Sequence, residues 1–124
     1  MRFAQRGRDD IRLVLVGDGA FQMTGWELGN CPRLGLNPIV LLFNNTAWGM
    51  LKAFQNDTGY NDLDDWHFAK HADTMGGKGV RVSTPTQLAA ALEQAHNDES
   101  CFQLIEVMLP GDVFSRTLTR FTDT

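Results

Sequence analysis

Two kinds of apolar pattern alternate along the chain. Arg12 to Val16 (RLVLV), Pro38 to Phe43 (PIVLLF), Val80 to Val82 and Phe102 to Leu109 (FQLIEVML) are short apolar runs rich in β-branched residues. Runs of this length bounded by Gly, Asn or Pro predict buried strands. Between them the spacing is helical. Phe21 to Cys31 and Ala47 to Phe54 are helix-compatible, although Gly25 and Gly29 lower the preference of the first. Trp66, Ala69, Ala72 and Met75 recur on one side of a further helix, and Leu88, Ala91, Leu92 and Ala95 on another. Thr84-Pro85-Thr86-Gln87 has the form of a capping box, with Thr84 at the N-cap and Gln87 three residues on. Val113 to Phe121 reads as a terminal helix. Strands alternating with helices predict a doubly wound, mostly parallel α/β sheet with helices on both faces.

The connections read as loops. Met1 to Asp10 is a polar lead-in, and Pro32 to Asn37 is a turn region. Gln55 to Asp65 is rich in Asn, Asp and Gly and reads as a surface loop, long enough to serve as a lid.

Composition narrows the function. With 124 residues the chain is read as a single domain over residues 1–124, with room for a real core. A formal net charge of −4 argues against a nucleic-acid partner. Cys31 and Cys101 have neither disulfide-framework nor metal spacing and read as free thiols. With no apolar run long enough to span a bilayer and no signal peptide, no membrane is expected, and a cytoplasmic location is.

The densest chemistry lies between the first two predicted strands. The first ends in Gly17-Asp18-Gly19 and the second in Asn44-Asn45, with 24 residues between Gly19 and Asn44. One helix fits in that interval, so the stretch predicts a βαβ unit. Asp18 and Asn45 then both follow the carboxyl ends of parallel strands, the edge at which open α/β sheets bind ligands. A carboxylate and an amide oxygen suit a hard cation such as Mg²⁺, which completes its octahedron with phosphate and water oxygens. Gly19 lets a phosphate approach the backbone, and helix starts near Ala20 and Ala47 would add favourable dipole ends. Together these suit a diphosphate held through a metal. The plain alternative is that Asp18 caps a helix and Asn45 makes a turn.

GDG, about two dozen residues and then NN resembles the cofactor-binding signature of thiamine-diphosphate enzymes. The wider run GDGAFQMTGWELGNCPRLGLNPIVLLFNN, with NDLDDWHFA and FQLIEV, is similar to the 2-keto-acid decarboxylases, nearest their indolepyruvate and phenylpyruvate branch. The resemblance covers Arg12 to the end. It implies thiamine diphosphate and Mg²⁺ as cofactors and a small 2-keto acid as substrate, aromatic in this branch, converted without oxidation to an aldehyde and CO₂. It implies a homo-oligomer, dimer or tetramer, in the full-length enzyme. It also implies that the pyrimidine-binding and middle domains are absent, together with the strand and helix that precede GDG. That would leave an unprotected sheet edge and a chain that does not turn over alone.

Residue by residue, the resemblance makes Asp18, Asn45 and the main-chain carbonyl of Ala47 the metal ligands. Gly19 and Ala20 would offer backbone N–H groups to the diphosphate, and Trp48, Gly49 and Met50 would follow the cofactor. For Trp48 and Met50 ordinary core packing is the alternative. Leu51 stands where many pyruvate decarboxylases carry a glutamate, so no catalytic residue is assigned within this chain. Leu51 and Phe54 share a helix face and would wall an apolar substrate pocket; the alternative is that they are core. His67 and His71 have zinc-compatible spacing but no third ligand, and read as surface residues, with Asp64 and Asp65 as helix N-terminal acids. An acetolactate-synthase-like or carboligating enzyme and a non-catalytic remnant that only binds the cofactor stay open. A nicotinamide dinucleotide domain is disfavoured, because GDGAFQ lacks the third glycine of that fingerprint.

Overall fold

A computed structural model describes residues 12–55, 59–111 and 113–122. The predicted lead-in at Met1 to Asp10, and 56–58 of the predicted lid, lie outside the described residues. The elements are β1 (Leu13–Gly17), α1 (Asp18–Thr24), a 3-10 stretch (Gly25–Asn30), α2 (Cys31–Leu34), β2 (Ile39–Asn44), α3 (Gly49–Phe54), α4 (Phe68–Thr74), β3 (Lys78–Val82), α5 (Pro85–Asn97), β4 (Gln103–Met108) and α6 (Arg116–Thr122).

All described strand pairs are parallel, in the order β1-β2-β4-β3. The chain steps outward from β1 to β2 and on to β3, then returns through α5 to insert β4. Right-handed crossovers put helices of an outward step and of a return step on opposite faces. Accordingly Phe21, Cys31, Phe68 and Ala72 meet Val40, Leu42, Phe102 and Leu104 on one face. Ala91 and Ala95 meet Ile39, Leu41, Val82, Ile105 and Val107 on the other. The two central strands are thus covered on both sides, which is why β2 and β4 are continuous apolar runs rather than alternating ones.

Four local readings are corrected. β1, predicted as a buried strand, lies at the sheet edge with Leu13, Val14 and Leu15 exposed. The segment after Gly19 is not one helix. α1 gives way to the 3-10 stretch at Gly25, where a Cβ would stand 2.4 Å from the Phe21 ring, and then to α2 within the predicted turn. The helix predicted from Trp66 starts at Phe68, because His67 adopts a left-handed φ of 50°. Phe68 is therefore the aromatic that enters the core, and Trp66 stays partly exposed. The capping box closes one residue off its usual form. Gln87 N–H donates to Thr84 Oγ1 at 3.2 Å, but Gln87 Oε1 accepts from Ser83 N–H at 2.8 Å.

Candidate functional site

The register brings the two candidate ligand loops together. Gly17 pairs with Phe43, so Asp18 and the Asn44-Asn45 pair leave neighbouring strands at the same level. Asp18 is buried, with Oδ1 accepting from Gly19 N–H at 2.9 Å and Oδ2 from Ala47 N–H at 3.3 Å. Asn45 Oδ1 also accepts from Ala47 N–H at 3.3 Å. Carboxylate and amide oxygen thus converge on one backbone group.

Ala47 is held by a second strand-like contact. It forms an antiparallel bridge with Asp62, flanked by Trp48 N–H to Asn61 O and Leu63 N–H to Thr46 O, both 2.8 Å. In this non-hydrogen-bonded pairing the residue's own N–H and C=O face away from the partner strand. The Ala47 N–H accordingly faces Asp18 and Asn45, and its carbonyl is directed to that same side. Of the predicted surface loop, Asp62 is exposed, but Asn61 is buried and its Nδ2 donates to Gln55 Oε1 at 2.9 Å.

Burial raises the Asp18 pKa above its ordinary value, and the backbone N–H groups of Gly19 and Ala47 offset this only in part. Among the described residues no cationic side chain pairs with it. A buried carboxylate without a counter-charge, beside an amide oxygen and a carbonyl, is a donor set that a hard divalent cation fits. Among the described residues no three His, Cys, Asp or Glu side chains gather to hold a metal.

The other predicted site residues lie on α1 and on the stretch from Trp48 through α3. Gly19 is buried and Ala20 exposed; the Gly19 N–H, expected to face a diphosphate, is turned onto its neighbour Asp18. Trp48 lies against Gly19, and Gly49 stands over Asn45 Nδ2. α1 and α3 have seven and six residues, so their dipoles contribute little and individual N–H groups matter more. On α3, Met50 is 69%, Leu51 46% and Phe54 61% exposed, so none of the three lies in the core formed by the described residues. His67 and His71 do not converge: His71 Nε2 lies 3.1 Å from Trp66 O, and His67 Nδ1 lies 3.6 Å from Asp65.

Sequence reading missed a buried polar cluster behind the site. Glu106, fully buried on β4, accepts four hydrogen bonds. Asn44 Nδ2 (2.7 Å) and Arg81 Nη2 (2.8 Å) reach Oε1; Arg81 Nε (3.1 Å) and Ala69 N–H (3.0 Å) reach Oε2. Arg81 also grips Asp65 through two bonds of 2.6 and 2.8 Å. Asp65 is therefore an ion-pair partner rather than simply a helix N-terminal acid. Burial pushes the Glu106 pKa up, but Arg81, Ala69 N–H and Asn44 outweigh it and the net shift is downward. The one available signal was an acid inside an apolar run, FQLIEV.

Comparison with known proteins gives this geometry a context. Residues 3–107 match the family described as thiamine pyrophosphate enzyme, C-terminal TPP binding domain. The chain is 62% identical over 109 residues to an indole-3-pyruvate decarboxylase of Azospirillum brasilense, covering 88% of this chain and 20% of that protein. It is 34% identical over 106 residues to an alpha-keto-acid decarboxylase of Mycobacterium avium strain 104, covering 82% of this chain and 19% of that one. The chain thus spans about a fifth of the length of these curated relatives. Its fold is that of part of the benzoylformate decarboxylase of Polynucleobacter necessarius, with a TM-score of 0.79 at 23% identity over 87% of this chain and 21% of that one. The thiamine diphosphate-dependent 4-hydroxybenzoylformate decarboxylase of Rhodococcus jostii RHA1 is similar at a TM-score of 0.78 and 24% identity, over 84% and 20% of the two chains.

Proposed function

The chain belongs to the thiamine pyrophosphate enzymes, through their C-terminal TPP-binding domain, and we propose that it serves a non-oxidative 2-keto-acid decarboxylase by holding the cofactor's diphosphate through Mg²⁺. The observation that carries this is the convergence of Asp18 Oδ2 and Asn45 Oδ1 on Ala47 N–H. Asp18, Asn45 and the Ala47 carbonyl would be the protein's ligands to the metal. Diphosphate oxygens and water would complete its octahedron.

Bound thiamine diphosphate supplies the electron sink that loss of CO₂ from a 2-keto acid requires. The chain's own residues supply position and charge balance. The buried Asp18 carboxylate sets a negative charge where the cation would sit. Gly19 keeps the space above it open to Trp48. Gly49 and Met50 lie where the chain turns into α3, along the cofactor's expected path. The keto acid is proposed to be aromatic, as the name of the Azospirillum relative suggests. Leu51 and Phe54, both half-exposed on α3, would line its side-chain pocket.

Calorimetric titration of thiamine diphosphate into the protein, with Mg²⁺ and then with EDTA, tests the reading. Binding should need the metal and be lost in Asp18→Ala. Metal-independent binding, or Asp18→Ala binding as tightly as wild type, would overturn it.

A further inference from the structure

The loop that carries Asn45 and Ala47 has an unusual backbone. Thr46 between them adopts φ 52°. A β-branched residue in the left-handed region is a true outlier and persists only where its surroundings dictate it. Here the Thr46 N–H donates to Asn44 Oδ1 at 3.0 Å, the short-range turn an Asn side chain can make.

That turn depends on which way the Asn44 amide faces, and Glu106 makes the shorter of the two carboxylate contacts that decide it, Asp65 Oδ1 lying 3.5 Å from the same Nδ2. Asn44 is fully buried, and its Nδ2 donates to Glu106 Oε1 at 2.7 Å. Flipping the amide would set its oxygen against the Glu106 carboxylate and its NH₂ against the Thr46 N–H. Both contacts would be repulsive in a buried site. Glu106 is itself fixed by Arg81 and by the Ala69 N–H. A chain of directed bonds therefore runs from β3 and β4 to the turn that presents Asn45 and Ala47.

We propose that Glu106, held by Arg81, is a positioning residue for the cofactor site, setting the Asn45 and Ala47 oxygens by fixing the Asn44 amide. The proposal rests on the cofactor reading above. Every partner of Glu106 is a donor, so Glu106→Gln necessarily turns an NH₂ group onto another donor. Asn44→Ala removes the same link but leaves the Arg81–Glu106 pair intact, so it remains informative if Glu106→Gln fails to fold.

The test is calorimetric titration of thiamine diphosphate at fixed Mg²⁺, then of Mg²⁺ at fixed thiamine diphosphate, into the full-length protein. Wild type, both single variants and the double variant are compared, with thermal unfolding alongside. Each single variant should weaken Mg²⁺-dependent binding about tenfold or more, as loss of a partner behind a metal ligand does. The double variant should be no weaker than the worse single one, because both act through one link. Affinity per folded molecule unchanged in the single variants, with only the Tm lowered, would overturn the proposal, as would additive losses. Wild type that fails to bind in the presence of Mg²⁺ would instead overturn the cofactor reading, and this proposal with it.

Discussion

Trp48 lies against Gly19: a Cβ built on Gly19 would stand 2.8 Å from Trp48 Cε3 and 3.0 Å from Cζ3. This contact joins the turn after β1 to the loop after β2, the two segments that carry Asp18 and Asn45.

Gly19→Ala is therefore expected to push the indole aside and destabilise the fold by about 1–3 kcal/mol, the usual cost of overpacking. The same substitution made in Trp48→Ala should cost much less. Thermal unfolding of the four proteins of that cycle measures the coupling. Equal costs in the two backgrounds would contradict the contact.

The pair Arg81–Asp65 predicts a pH dependence. The Arg81 hydrogen bonds hold the Asp65 carboxyl at about 2, below its usual 3.8. A carboxyl lowered on folding stabilises above its unfolded value, and that stability is lost as pH falls through the folded one. The Tm advantage of wild type over Asp65→Asn should thus be full above about pH 4 and vanish as pH falls to about 2. Asp65 is about a third exposed (33%), so screening holds the gap to no more than about 1 kcal/mol, a few degrees in Tm. A gap that widened on acidification would contradict the sign.

Leu51→Glu, assayed in the complete enzyme, should shift kcat/KM away from phenylpyruvate and toward pyruvate. A carboxylate in an apolar pocket is expected to change the ratio by about tenfold or more. An unchanged ratio would remove Leu51 from the substrate pocket.

Much of the site was legible because it is local. Asp18 and Asn45 each end an apolar strand, and the interval between them holds one crossover, so spacing alone brought them to one edge. Thr84 and Gln87 were legible for the same reason. The cluster around Glu106 was not. Its partners Asn44, Ala69 and Arg81 come from three other segments, and only the insertion of β4 between β2 and β3 brings them together. His67 shows a second limit. A left-handed residue delays α4 by two positions and exchanges Trp66 for Phe68 in the core, and periodicity cannot see a backbone angle. Exposure was hidden too: Met50, Leu51 and Phe54 have the composition of core residues but lie on a helix with no buried position.

The late insertion of β4 has a consequence for biosynthesis. Chains emerge from the ribosome N-terminus first, and parallel pairing must wait for its distant partner. Asp18 and Asn45 emerge before β4, and β2 lacks its second neighbour until Gln103–Met108 has been made. Until then Asn44 lacks the shorter of its two carboxylate contacts, 2.7 Å to Glu106 against 3.5 Å to Asp65. A nascent chain halted before β4 would carry both oxygen side chains of the candidate metal site without the residue that aims them.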